Sequence, residues 1–210
     1  MSVLSIDVYS DVVCPWCFIG ERKLELALAQ RPQLDVSLRF HPFLLHPYLT
    51  PEGEEFERFV VQKFGTNSQR LFTRVLKAAE QVGLGLAPER IRRMPDTTAA
   101  HCVISWAAPA QVQGLVRALF RAYFVEGLDV GDPAVLAEVA VGQGLERDTV
   151  LERLEAGLDR DHVRERAAQA ADGGITGVPF FLVNQRWPVP GAQEPETLVR
   201  IFDRALEMRS

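Results

Sequence analysis

The sequence predicts an α/β fold in which a β-α-β unit near one end and a β-β-α unit near the other are separated by a long, all-helical stretch. Three observations carry this reading. Short segments of alternating polarity stand near both ends and nowhere between, as half-buried strands require. From about Glu52 to about Asp172 the apolar residues recur instead at spacings of three and four, the period of a helix. Cys14 and Cys17 fall where the first strand gives way to the first helix.

Taken in order, Val3 to Tyr9 alternates Leu4, Ile6 and Val8 with Ser5 and Asp7 and reads as a strand. Pro15 suits the first position of the helix that follows, because its missing N–H has no partner to lose there and its φ is already helical. The leucines of Glu21 to Gln30 repeat at helical spacing, Arg31-Pro32 stops the turn, and Leu34 to Phe40 alternates as a second strand, expected to pair in parallel with the first. His41 to Pro51, with three prolines and two histidines, is an extended connection passing the catalytic end. Within the helical block, Phe56, Phe59, Val60 and Phe64 form one apolar face, and Leu71, Val75, Leu76, Ala79 and Val82 a second. Gly83-Leu84-Gly85 with Pro88 marks a turn, and Pro95 to Thr98 supplies caps for a helix through Trp106. Pro109 starts another helix running to about Phe124, and Asp132 caps the next. Helices are expected at Ala134–Val141, Asp148–Gly157 and Asp161–Ala171. The strand signal returns after Gly173-Gly174-Ile175-Thr176-Gly177-Val178-Pro179. Phe180 to Val183 and Arg186 to Val189 flank Asn184-Gln185 as a hairpin, with Pro188 marking an edge strand, and a helix over Pro195 to Glu207 closes the chain.

The chain of 210 residues is 47% hydrophobic, enough to bury a substantial core. Its formal charge of −5 is spread without a basic face, which excludes nucleic acid and anionic lipid as natural partners. No apolar run is long enough to span a membrane. The start, Met1-Ser2-Val3-Leu4-Ser5-Ile6-Asp7, has no basic residues, no long apolar stretch and no small-residue cleavage site, so a cytoplasmic location is expected. Three cysteines in such a compartment are not a disulfide framework.

Redox chemistry is the better use of the pair. At a helix N-terminus Cys14 meets unpaired N–H groups and the positive end of the helix dipole, both of which favour a thiolate; it is the candidate nucleophile and is expected to be exposed. Cys17, one turn later, can attack a sulfur bonded to Cys14 and release what Cys14 has captured. The pair is also half of a structural zinc site, but no second Cys-x-x-Cys or paired histidine completes it, and no metal is expected. Trp16, between the cysteines, offers a flat apolar surface for substrate contact. Asp7 and Asp11 are the acids nearest in sequence; Asp11 can relay a proton to Cys17, and capping or solvation of a loop acid is the competing reading. His41 and His46 are placed to touch the site or to be satisfied within their loop. Cys102, flanked in its helix by Val103 and Trp106, is expected to behave as an inert small hydrophobe.

The order of elements, with Cys-x-x-Cys opening the first helix and Gly-Val-Pro before the third strand, resembles a thioredoxin fold interrupted by a helical insertion. The chain is similar throughout to the DsbA-like oxidoreductases of the FrnE branch, relatives of 2-hydroxychromene-2-carboxylate isomerase and kappa-class glutathione transferases. The likeness is carried by Ser10 to Gly20, Thr97-Thr98-Ala99-Ala100-His101, Leu119 to Gly127, Gly174 to Pro179 and Gly191-Ala192-Gln193. It implies a thioredoxin-like domain from residues 1–51 and 173–210 and a helical domain over 52–172. It also implies that Cys14 attacks, Cys17 resolves, and Pro179 is a cis-proline whose preceding residue, Val178, pairs with an extended substrate segment, with Pro15 and Trp16 beside it. The isomerase relatives carry serine at the position of Cys14 and an Asp-Arg pair where this chain has Gly191-Ala192-Gln193, and both departures favour dithiol chemistry.

The leading expectation is a cytosolic thiol:disulfide oxidoreductase that oxidises, reduces or isomerises protein, peptide or small disulfides. It needs no cofactor beyond the thiol pair; glutathione or a thioredoxin system is the candidate electron partner, and oligomeric state is left open. The alternative is a glutathione-dependent isomerase or transferase acting on a small aromatic substrate in a pocket lined by the helical block, which leaves Cys17 without a role. A third reading is a binding protein with a vestigial site.

Overall fold

The structure is a computed structural model that describes residues 3–208. Strand β1 (Leu4–Ser10) leads into α1 (Pro15–Ala29) and back to β2 (Val36–Pro42), which lies parallel to β1 with Leu4 opposite Val36. The side chains of β1 alternate as its sequence does. Leu4, Ile6 and Val8 are buried on one face, whereas Tyr9 on the other packs near Phe180.

The long middle segment begins with a correction to the all-helical reading. Residues Glu54–Glu55 (β3) and Arg93–Met94 (β4) pair antiparallel as a small second sheet. A two-residue ladder is too short to show any alternation, so it left no period in the sequence. Between and beyond these come α2 (Phe56–Phe64), α3 (Ser68–Glu80), α4 (Thr98–Trp106) and α5 (Pro109–Arg121). The last of these does not stop near Phe124 as a plain α-helix. It widens into a π-helical turn, Ala122–Glu126, closed by Gly127 at a left-handed φ of 74°. Helices α6 (Pro133–Val141), α7 (Arg147–Glu155) and α8 (Arg160–Asp172) follow within a residue or two of their expected bounds. Asp132 caps α6 through Ala134 N–H at 2.7 Å. Asp96, rather than Thr97, holds the start of α4. Its buried carboxylate accepts from Thr98 N–H at 3.0 Å and Thr98 Oγ1 at 2.6 Å, and from Arg160 and Arg164 of α8 at 2.9 Å each.

The chain then returns to the first sheet. Strand β5 (Phe180–Val183) pairs antiparallel with β1, and β6 (Trp187–Pro190) pairs antiparallel with β5 at the edge, giving the order β2-β1-β5-β6. The hairpin turn takes one residue more than Asn184-Gln185. Both of these have positive φ, and Arg186 N–H closes onto Val183 O, so Arg186 belongs to the turn. Helix α9 (Pro195–Glu207) covers one face of the sheet beside α1, where Leu24, Ala27, Leu198 and Phe202 meet Ile6, Phe181 and Val189.

Helix α1 is buried on several sides at once and ties the sheet to the helical block. Phe18 stacks on Phe120 with centroids 5.2 Å apart and lies against Phe124 at 6.1 Å. Glu21 accepts from Arg117 at 2.6 Å and from Gln113 at 3.2 Å, and Lys23 reaches the carbonyl of Ala192 and the carboxylate of Glu194. Burial pushes the Glu21 carboxyl up despite the Arg117 guanidinium beside it. Among the described residues no helix is long and apolar enough to cross a membrane.

Candidate active site at the start of helix α1

Cys14 is the N-cap of α1, Pro15 its first residue, and the carbonyl of Cys14 accepts from Cys17 N–H at 3.0 Å. The loop before β5 meets this corner. The Val178–Pro179 bond is cis, and the Cys14 Sγ donates to the carbonyl of Val178 at 3.6 Å. Gly20 is what lets the loop come so close. A Cβ there would stand 2.7 Å from Cγ of buried Pro179, nearer than side-chain carbons approach one another.

Both cysteines are free and buried, with Cys14 4% and Cys17 2% exposed. This corrects the expectation of an exposed Cys14. The helical block, invisible to local sequence patterns as a neighbour of residue 14, rises over it and leaves a cavity of about 340 Å³ whose wall includes Val13, Cys14, Pro15, Trp16 and Val178. The rest of the wall is almost wholly apolar, from α2, α3 and the π-helical turn: Phe56, Phe59, Phe72, Val75, Tyr123 and Phe124 among others. Trp16 is half-buried rather than exposed, packed against this core while lining the cavity.

The other side of the pair is different in kind. Burial pushes the Cys17 thiol well above the usual value, aided by its hydrogen bond to the Cys14 sulfur and by the charge of Cys14, with a backbone hydrogen bond from Asp11 opposing the rise. Asp11 itself is 1% exposed. Its Oδ2 accepts from Leu45 N–H at 2.8 Å, but its Oδ1 has no hydrogen-bond partner and faces Nε2 of His101, also unpartnered, at 3.7 Å. Buried polar atoms are normally satisfied, so two facing orphans beside the Cys17 thiol stand out. His101 is 5% exposed and also lines a second cavity of about 290 Å³ with Ser10, His41 and His162.

Of the residues singled out in the sequence, Asp11, Cys14, Pro15, Trp16, Cys17, Val178 and Pro179 gather here. Asp7 does not. Burial raises its carboxyl, but hydrogen bonds from Arg39 at 2.8 Å and His41 at 2.7 Å, with their charges, outweigh that and lower it on balance. His41, which lies near the end of β2 and not in the connection after it, is satisfied by Asp7 and by Arg166 at 2.9 Å, whereas His46 lines the cavity at Cys14. Sequence reasoning did not place His101 at the site, although the Thr97 to His101 stretch was among those carrying the resemblance. Cys102 is fully buried, with its thiol pushed up to about 11 by burial. Among the described residues no cluster of three or more His, Cys, Asp or Glu side chains could hold a metal ion.

A mixed sheet with two cysteines at the start of the first helix and a cis-proline opposite them defines a thioredoxin fold. Residues 5–203 match the DSBA-like thioredoxin domain, and the chain belongs to that family. The uncharacterized protein YwbO of Bacillus subtilis is 27% identical over 210 residues, covering 96% of this chain and 94% of its own. A crystal structure of a probable DsbA oxidoreductase from Streptomyces coelicolor is 27% identical and covers 99% of this chain and 92% of that one, with a TM-score of 0.87. A 2-hydroxychromene-2-carboxylate isomerase shares the fold at 16% identity and a TM-score of 0.74, covering 98% of this chain and 97% of its own.

Proposed function

We propose that this protein is a cytoplasmic thiol:disulfide oxidoreductase in which Cys14 exchanges with the substrate and Cys17 resolves. The single observation that carries the reading is the asymmetry of the pair: Cys14 opens onto a cavity with the Val178 carbonyl beside it, and Cys17 is shut in with Asp11. In the reducing direction the Cys14 thiolate attacks one sulfur of a substrate disulfide, that S–S bond breaks, and the departing thiolate takes a proton. Cys17 then gives its proton to Oδ1 of Asp11, stabilised by His101, and attacks the Cys14 sulfur. The second substrate sulfur leaves as a thiolate and takes up a proton, Asp11 releases the one it received, and the protein holds a Cys14–Cys17 disulfide. Oxidation of substrate thiols is the same sequence reversed. Glutathione or a thioredoxin system completes the cycle, and no further cofactor enters it. Because Cys17 must lose a proton held well above its usual pKa, an acceptor within the protein matters at this step.

The glutathione-dependent isomerase reading draws on the apolar cavity and the shared isomerase fold, but gives Cys17, Asp11 and His101 no task. The test is to incubate the reduced protein with oxidised glutathione and count free thiols. The proposal expects the three cysteines to fall to one free thiol, at Cys102; three free thiols throughout, with oxidised glutathione and with a small apolar disulfide alike, would refute it.

A further inference from the structure

We infer that the cavity at Cys14 selects small apolar disulfides or thiols that carry a carboxylate, with the sulfur at Cys14 and the carboxylate at Lys63. The inference rests on the dithiol reading above and adds its substrate class. At about 340 Å³ the cavity is at the lower end of the range for small-molecule sites. Cys14 is nearly enclosed by it, and the Val178 carbonyl, which a bound strand would need, already accepts from Cys14. A short apolar molecule suits this geometry better than a peptide strand with its unsatisfied backbone groups.

Among the described residues Lys63 is the one charged side chain in the wall. Its ammonium donates to Nδ1 of His46 at 2.9 Å and lies 5.5 Å and 5.9 Å from the ring centroids of Phe59 and Phe64. Burial, with the charge of Lys63 adding to it, pushes the His46 imidazole down to about 4, so at neutral pH it is an uncharged acceptor that leaves the positive charge unbalanced. Partial burial also pushes Lys63 down from the ordinary lysine value. Among the described residues no carboxylate lies within ion-pair distance of Lys63. A partly desolvated cation at an apolar wall, with no anion of its own, is stabilised by an anion on the occupant.

The exchange balances within the pair. A reduced protein takes two electrons from the Cys14–Cys17 dithiol to cleave one occupant disulfide into two thiols, and becomes a disulfide itself. Single-turnover oxidation of the reduced protein is therefore measured with four probes: the symmetrical disulfides of mercaptohexanoate and of mercaptohexanamide, oxidised glutathione, and a disulfide-linked peptide pair. The carboxylate disulfide should react about tenfold faster than its amide at low ionic strength, the size of one charge-assisted hydrogen bond. That preference should shrink with added salt and vanish in Lys63→Met, which keeps the apolar stem of an exposed side chain. Equal rates for acid and amide, a preference that survives Lys63→Met, or fastest reaction with oxidised glutathione or the peptide pair would each overturn the assignment while leaving the dithiol reading intact. Oxidation by none of the four would overturn both.

Discussion

The two sulfurs of this site lie one helical turn apart yet face opposite surroundings. Cys14 looks into an apolar chamber assembled from α2, α3 and the π-helical turn, with Lys63 in its wall; Cys17 looks inward to Asp11 and, through it, to His101. In the proposed chemistry the contrast separates two tasks that thiol exchange always couples. On the proposed mechanism, substrate arrives on the apolar side, and the resolving proton leaves on the side where Asp11 stands. One helix turn with proline at its first position sets the separation, and two different parts of the chain supply the two environments.

The comparison is broken most severely by removing the sulfur on the substrate side. Cys14→Ser should lower disulfide exchange on the order of a thousandfold or more, since no other accessible thiol can start the reaction. Insulin-disulfide or glutathione-disulfide turnover checks this, and retained activity would move the nucleophile elsewhere.

On the proton side, Asp11→Asn distinguishes a relay from mere electrostatics because the two predict opposite signs. The Asp11 charge raises the Cys17 pKa, so simple loss of charge would speed release by freeing more thiolate. Loss of a proton acceptor slows it, by about a hundredfold if Asp11 acts as a general base. Release should accelerate with rising pH in the wild type, because a thiol whose pKa is raised gains thiolate as pH climbs toward that value. In Asp11→Asn the slope should steepen, with hydroxide and water replacing the internal acceptor. His101→Gln should give a smaller slowing of the same step, read by stopped-flow with substrate capture unchanged.

A structural change sharpens the comparison from between the two sides. Gly20→Ala places a methyl 2.7 Å from Pro179 and forces the loop off the helix, at a cost of about 1–3 kcal/mol that modest helix-propensity gain only partly offsets. A melting temperature lowered by roughly 2–8 °C, together with slower capture at Cys14, is the expected outcome.

The smallest effect belongs to Cys102, which lies on neither side. With its thiol near 11, it should resist alkylation in the folded protein at neutral pH, and Cys102→Ala should leave exchange rates unaltered.

Much of this was legible in the sequence, for identifiable reasons. The strands of the main sheet alternate because one face of each is buried, Pro15 and Asp132 announce helix starts by local chemistry, and the cysteine spacing is what suggests thiol chemistry. What stayed hidden is what distant segments do to one another. The β3–β4 ladder joins residues far apart in the chain and is too short for periodicity. The burial of Cys14 comes from helices whose apolar faces do not reveal what they cover. Glycine at position 20 looked like an ordinary helix residue until Pro179 was beside it. His101 stood in a stretch already singled out, but nothing local pointed it at Asp11.

The central claim is the division of labour between the two thiols, and the Cys17→Ser variant tests it most directly. After exposure to oxidised glutathione, peptide mass spectrometry should find one glutathione bound through the peptide containing Cys14, stable because the resolving thiol is gone. An unmodified Cys14 peptide, or an adduct on Cys102 instead, would contradict the account.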